Sequence, residues 1–588
     1  MLLPSLLAAV LAQAPLAPLT TVAEQSQWTR TGRYDEVETL CRAFPKAFPG
    51  KVRCETFGTT PEGRPLLALV ASTDGTLTPT AAAKKGRPVF FFQGGIHAGE
   101  IDGKDAGFWL LRDLLAGKAL PGVLQQVTAV FVPVFNVDGH ERFGPNQRPN
   151  QVGPEEMGWR VTARNLNLNR DYVKADAPEM TALLTFLHTW DPLLYADLHV
   201  TDGAQFESSV ALSLEPQKGG PPSLRPFGAK MISEFLTVLE GQGYLPVPFY
   251  PSFNKDDDPL SGFSYGVSPP RFSQNYWSAQ RRFGVLVEMH SWKPYAHRVK
   301  TTRDVLEAML RLLARDGAAL RVAVKAADAE AESGAVKDVV LLWKNTEQNH
   351  PIEFRGYAYT REASPLFQQT VIRYDTTKPQ VWTVPYFDEV RPALTASLPG
   401  GGYLIPAAHA DWVAPKLRAH GLRFQRLERA VPSAEVEVFR ATEAKPRPQT
   451  SEGRTVFSFQ GEWKRGTQPL PAGTLYVPAA QRGVEVLAHL LEPLGPDSLA
   501  AWGFFAAHFE QKEYIEEYVL EPYARELLAK DALVKAAWEA RLKEPAFAAD
   551  PAARIQFFAQ RHPAFDARFN LYPVFRTATP PPGLRPVR

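Results

Sequence analysis

Three short stretches of this 588-residue chain carry side chains fit for metal or proton chemistry, and each follows a largely apolar, strand-forming run. Val89-Phe90-Phe91-Phe92 leads into Gln93-Gly94-Gly95-Ile96-His97-Ala98-Gly99-Glu100. Leu193-Leu194-Tyr195-Ala196-Asp197-Leu198 leads into His199, and Gly284-Val285-Leu286-Val287 leads into Glu288. His97, Glu100 and His199 offer two imidazole nitrogens and one hard oxygen, a donor set that suits a single Zn²⁺ and leaves a fourth position for water. A carboxylate after an apolar strand is costly to bury unless it is paired or used. That singles out Glu288 over His290 and Lys293, whose default roles are at the surface or in support. One His-x-x-Glu is common and says little alone, so the weight lies in the three sets arriving at the same kind of place.

That place is the carboxyl end of buried strands, where loops from neighbouring strands converge. The runs 89–92, 129–135, 193–198 and 284–287 alternate with helical patterns over 103–116 and 178–189. Largely apolar strands separated by helices predict a sheet covered on both faces, hence an α/β fold with a mixed, mostly parallel sheet. A helix over 34–48 and a strand pair, 51–57 and 66–71, joined at Thr60-Pro61-Glu62-Gly63, precede it. From about 335 the pattern turns to half-exposed alternation, with strands expected over 338–343, 352–359, 370–374 and 380–384. Helices are expected again over 485–491, 498–509 and 514–542. The organisation expected is a catalytic domain over 25–325, a β-rich accessory domain over 335–480 and a helical C-terminal region over 481–588.

Between the first and last of these sets lie Asn136-Val137-Asp138-Gly139, Arg160 and Asn167-Leu168-Asn169-Arg170-Asp171-Tyr172. In this order the chain resembles the zinc carboxypeptidases, whose pattern is His-x-x-Glu, Asn-Pro-Asp-Gly, an arginine, Asp-Leu-Asn-Arg-Asn, a second His and a Glu. Phe57 to Leu66 is also similar to the family's N-terminal hairpin, and the resemblance covers roughly residues 34–310. It implies one Zn²⁺ on His97, Glu100 and His199, and Glu288 as general base. It also implies Arg160 as the stabiliser of the oxyanion, with Arg164 as the alternative. Asn169 and Arg170 would clasp the terminal carboxylate of a peptide substrate, and Tyr265, or failing it Tyr276, would be a substrate-binding tyrosine. Val137 replaces the family's proline, and Met289-His290-Ser291 follows the base in place of the common Leu-Arg. Asn167 stands where an aspartate usually orients the first ligand histidine, a place where Asp197 or Asp202 could compensate. The activity implied is zinc-dependent hydrolysis of a C-terminal peptide bond. The competing expectations are a metal-dependent amidase acting on cell-wall peptides or N-acyl amino acids, and a non-catalytic binding protein. Glu288 speaks against the last, because a binder needs no base. The part beyond 330 resembles a C-terminal extension of some large bacterial relatives.

Composition sets the remaining bounds. With 65 basic and 63 acidic side chains the net charge is +2, which gives no electrostatic case for a nucleic-acid or anionic-lipid partner. Residues 1–17 form a short apolar run followed by small residues, read as a signal peptide with cleavage between Ala14 and Ala17, so a secreted or periplasmic location is expected. No other run is apolar enough to span a membrane. Cys41 and Cys54, the only cysteines, are compatible with a disulfide, worth roughly 3 kcal/mol by loop closure, or with two buried thiols. Oligomeric state has no signature in the sequence.

Overall fold

The largely apolar runs become the centre of an eight-stranded sheet in the structure, a computed structural model that describes residues 19–201 and 203–587. The signal segment 1–17 and Asp202 lie outside the described residues. The strands are β1 (Val52–Thr59), β2 (Pro65–Ala71), β3 (Val89–Gln93), β4 (Thr128–Val132), β5 (Leu194–Val200), β6 (Val210–Glu215) and β7 (Pro246–Val247). β8 (Phe263–Ser264) stands outside this sheet, and β9 (Phe283–Met289) completes it in the order β1-β2-β4-β3-β5-β9-β6-β7. The four central strands β4, β3, β5 and β9 run parallel, while β2 and β6 flank them antiparallel. All residues of those four strands are buried, as their largely apolar sequences require of a sheet covered on both sides, with Asp197, His199 and Glu288 toward the carboxyl ends of β5 and β9. β4 stops at Val132, short of the expected 135, because Pro133 has no N–H to extend the ladder.

Helices Tyr34–Ala47, Asp102–Leu115, Arg225–Gly241 and Tyr295–Glu332 cover one face, packing Phe44, Phe108, Phe235 and Leu306 into a common core with Phe92 and Phe131. The other face is covered by Pro178–Trp190 and Ser273–Ala279, but also by two helices from the second half of the chain, Ala407–Ala419 and Val484–Leu491. Leu183, Leu187 and Trp277 share one apolar cluster with Val413, Leu417 and Leu487. Each such leucine contributes about 2 kcal/mol on burial, so the two halves stabilise each other. Cys41 and Cys54 form a disulfide, which ties the Tyr34–Ala47 helix to β1 and decides between the two thiol states left open by the sequence.

Beyond residue 335, β10 (Asp338–Asn345) pairs only with β13 (Val390–Ser397) among the described residues, while β11 (His350–Ser364) and β12 (Gln369–Phe387) form a long hairpin. The two strands expected at 370–374 and 380–384 are one: the register jumps between Tyr357↔Pro379 and Ala358↔Asp375, so a bulge absorbs the residues that interrupt the alternation. β12 also pairs, in parallel, with β8 of the first half. A seven-stranded sheet follows, built from β14 (Gly402–Ile405), β15 (Gln425–Leu427), β16 (Val431–Pro446), β17 (Phe457–Leu470), β18 (Leu475–Pro478), β19 (Phe575–Thr577) and β20 (Leu584–Pro586). The 498–509 segment is mostly turns with a short 3₁₀ helix, Ala506–Phe509, and Gly503 at φ 74° interrupts it. The stretch 514–542 is two helices, Glu517–Lys530 and Ala532–Leu542. They break at Asp531, whose carboxylate accepts from the N–H groups of Leu533 and Val534 as an N-cap. Among the described residues no helix is long and apolar enough to cross a membrane.

Candidate metal centre and active site

His97, Glu100 and His199 meet at the carboxyl end of the parallel strands. His97 and Glu100 lie on the turn between β3 and the Asp102–Leu115 helix. His199 is the penultimate residue of β5, opposite Glu288 of β9 in the ladder. One ligand atom from each of His97, Glu100 and His199 falls within 4.8 Å of the others, and all three side chains are buried. Both imidazoles turn Nδ1 toward Glu100, His97 at 2.9 Å from Oε1 and His199 at 3.0 Å from Oε2. Their Nε2 atoms face away: His97 Nε2 lies 3.1 Å from Asn167 Oδ1 and His199 Nε2 lies 2.8 Å from Asp197 Oδ2. An N–H donated at Nε2 leaves the Nδ1 lone pair for a cation, the arrangement that ligand histidines need. The donor set and its convergence fit a Zn²⁺ ion.

The structure answers the question posed by Asn167. The amide oxygen of Asn167 itself accepts from His97, and Asp197, a carboxylate considered for that role, serves the other histidine. Asp202, the second one considered, is outside the described residues.

The electrostatics follow from burial and pairing. Burial holds His97 down to about 4, so it is neutral near pH 7. Burial opposes protonation of His199 too, but Asp197 and then Glu100 outweigh it and raise its pKa well above 6.5. Burial works against the Glu100 carboxylate, yet Arg148 and the two histidines hold its pKa well below the usual range. Arg148, unnoticed in the sequence, reaches Glu100 Oε1 with Nη1 at 2.7 Å and donates through Nη2 to the carbonyls of Val200 and Thr201. Its path explains Gly99: a Cβ there would stand 2.6 Å from Arg148 Cγ and 2.8 Å from the Gly158 carbonyl. Gly95 is required by its φ of 63°.

A cavity of about 580 Å³ opens over this centre, and His97, Glu100, Arg160, Asn169, Arg170, Tyr265 and Glu288 all line it. Glu288 is 7% exposed. Arg160 stands with Nη1 3.4 Å from Glu100 Oε1, and its carbonyl accepts from the Asn136 side chain. Arg164 is exposed and does not line the cavity. The Asn136-Val137-Asp138-Gly139 motif is thus a brace: Asn136 Oδ1 also takes the Gly139 N–H, and Asp138 accepts from Thr60, the Glu62 N–H and Arg64 of the β1–β2 hairpin.

Arg170 lies over the Phe272 ring at 4.4 Å, and burial lowers its pKa somewhat while leaving it a cation. Tyr265 lines the cavity, but its hydroxyl donates to the buried Glu215 at 2.8 Å and accepts from Gln217. Tyr276 is fully buried in a network with His188 and His420, away from the cavity. Tyr250, 39% exposed, also lines the cavity and lies within the field of Arg170; the sequence reading did not single it out. The neighbouring Asp256-Asp257-Asp258 run does not line the cavity; Asp258 faces Lys255 and Arg361 instead.

Comparison with known proteins finds similarity to carboxypeptidases. Residues 37–207 match the model of the zinc carboxypeptidase family. The match contains His97, Glu100, Arg160, Asn169, Arg170 and His199 and ends before Glu288. A 186-residue stretch is 27% identical to carboxypeptidase D of Mus musculus; it covers 28% of this chain and 14% of that protein, a small part of its length. Among solved structures, a metallo-carboxypeptidase from Burkholderia cenocepacia is 18% identical, covering 48% of this chain and 69% of that one, with a TM-score of 0.36. Carboxypeptidase A from Helicoverpa armigera is 17% identical, covering 50% and 74%, with a TM-score of 0.34.

Proposed function

We propose that the chain is a zinc metallocarboxypeptidase that removes the C-terminal residue of peptides. The observation that carries this reading is the shared cavity: two histidines aim Nδ1 at Glu100, Glu288 stands on the next strand opposite His199, and Asn169 and Arg170 close the same space. Zn²⁺ on His97, Glu100 and His199 supplies Lewis acidity that polarises a carbonyl and acidifies water. Glu288 takes a proton from the attacking water as the C–O bond forms, then gives it to the amine nitrogen as the C–N bond breaks. Arg160 offers its guanidinium to the oxygen that becomes negative in that step. Asn169 and the Arg170 fork hold the terminal carboxylate, and Tyr250 takes the substrate-facing role that the sequence offered to Tyr265.

Phe249, Phe253, Phe272 and Leu286 provide apolar wall, with Ser213 and Gln274 as neutral polar groups. Among the described residues that wall carries no acidic side chain beyond Glu100 and Glu288, which favours a neutral apolar or aromatic C-terminal residue over a basic one. The Cys41–Cys54 disulfide supports export to an oxidising compartment.

The test is elemental analysis of the purified protein together with mass-spectrometric readout of a peptide panel. The expected result is one zinc per chain and stepwise loss of neutral C-terminal residues. Absence of zinc at neutral pH overturns the reading. Turnover confined to D-amino-acid peptides or N-acyl amino acids replaces it with the amidase alternative.

A further inference from the structure

The tip of the β16–β17 hairpin reaches across from the second half of the chain to the metal centre. Residues Ser451 to Arg454 form a tight turn, bonded N–H to carbonyl in both directions, with both central residues at positive φ: Glu452 at 50° and Gly453 at 73°. A bulky residue resists that conformation, so the surroundings must hold Glu452 there. They do. Arg454 forms a fork on Asp176 at 2.5 and 2.9 Å and lies 3.5 Å over the Phe504 ring. Lys416 also bonds Asp176. So clamped, Glu452 Oε2 accepts the backbone N–H of Asn167 at 2.8 Å. Asn167 in turn accepts from the Asn169 N–H at 3.0 Å and meets His97 Nε2 at 3.1 Å through the same Oδ1. Arg170, one residue further, lies in the field of the Glu452 carboxylate.

We infer that Glu452 is a positioning residue of the active site, delivered by the C-terminal half to fix the 167–170 turn. The turn carries both the group that orients His97 and the residues that face the substrate carboxylate. It also lacks a carboxylate of its own, since Asn167 is neutral. Glu452 brings an acceptor for the Asn167 N–H in from outside the turn. Its removal therefore loosens His97 and the Asn169-Arg170 clasp together, although it touches neither metal nor substrate. This inference rests on the carboxypeptidase reading for its functional consequence, but not for the hold on the turn.

The test compares the parent chain with Glu452→Ala, which removes the acceptor, and Glu452→Gln, which keeps one. Zinc affinity is read with the metal alone against a chromophoric chelator, KM and kcat on a C-terminal peptide, and amide exchange of the 162–172 segment in the metal-free chain. Glu452→Ala is expected to weaken zinc about tenfold, the usual effect of losing support behind a ligand, and to raise KM several-fold. It is also expected to speed exchange in the 162–172 segment. Glu452→Gln is expected to recover most of each loss, and Asn167→Asp added to Glu452→Ala to recover zinc affinity. Exchange, zinc affinity and KM all within about twofold of the parent for Glu452→Ala overturn the inference, and so does equal impairment of the Ala and Gln variants. If the parent binds no zinc, the carboxypeptidase reading fails, while the exchange rates still decide whether Glu452 holds the turn.

Discussion

Arg148 and Zn²⁺ compete for the same carboxylate, so removing the arginine should tighten the metal. The perturbation is Arg148→Met, which keeps the aliphatic length and deletes the cation. Arg148 Nη1 sits 2.7 Å from Glu100 Oε1, with the two side chains 7% and 3% exposed. Breaking a buried pair by removing one partner costs about 3–5 kcal/mol, because the other charge is left uncompensated. The lower end applies here, since Glu100 still accepts the Val200 N–H at 3.0 Å and keeps both histidines. With zinc bound, the dication takes over compensation of Glu100. What is still lost is the pair of bonds from Nη2 to Val200 and Thr201, at about 1 kcal/mol or less each after solvent exchange. The metal-free chain is thus destabilised by about 2 kcal/mol more than the loaded one, which by linkage is a zinc affinity roughly 30-fold higher. Chelator competition at pH 7.5 measures it directly, and the thermal midpoint with and without zinc measures it independently. A tenfold weakening of zinc in Arg148→Met would refute the reasoning, since it would mean that Arg148 orients Glu100 more than it opposes the metal.

Glu288→Gln is expected to lower kcat by two orders of magnitude or more while zinc content stays at the parent level, checked by steady-state kinetics and elemental analysis on the same sample. His420 and His489 are buried and held down to about 4, so the unfolded chain binds more protons than the folded one between pH 6.5 and 4. Their contribution is therefore complete above pH 6.5 and is lost as pH falls toward 4, by up to about 1.4 kcal/mol per pH unit for each. Denaturant midpoints at pH 7, 5.5 and 4.5 read this slope, which His420→Gln should flatten. Replacing Cys41 and Cys54 by serine together opens a loop with a sequence separation of 13 and should cost about 3 kcal/mol, read as a lower thermal-inactivation midpoint that reductant no longer moves.

The convergence of His97, Glu100 and His199 was legible because its signals are local. A strand that must be largely apolar to lie inside a sheet announces itself, and the first polar residues after it have nowhere to go but the carboxyl edge. His97, Glu100, His199 and Glu288 could therefore be put at strand ends from the pattern and the ordered resemblance, whereas the register that sets His199 against Glu288 came from the structure. Arg148 and Tyr250 lie in loops with no period, so nothing in the sequence tied them to a strand end. Tyr265, implied by the resemblance, does line the cavity, but the sequence does not say where its hydroxyl points; in the structure it donates to the buried Glu215.

The largest gap was the second half of the chain. Its strands were partly legible, but a segment's own alternation does not reveal what its ends touch. β12 pairs with β8, so the hairpin root holds the stretch that carries Ser264 and Tyr265 on the cavity wall. Asp497 accepts the Arg271 N–H and pairs with its side chain, next to the Phe272 ring that carries Arg170. Glu452 holds Asn167. Three separate parts of the C-terminal half thus brace three different walls of one cavity. An appended module with an independent task would have no physical reason to do so. The unit that shapes this cavity is therefore better defined by what braces its walls than by where the family resemblance stops. A chain cut near residue 330 should lose the geometry of its cavity even where it keeps all three metal ligands.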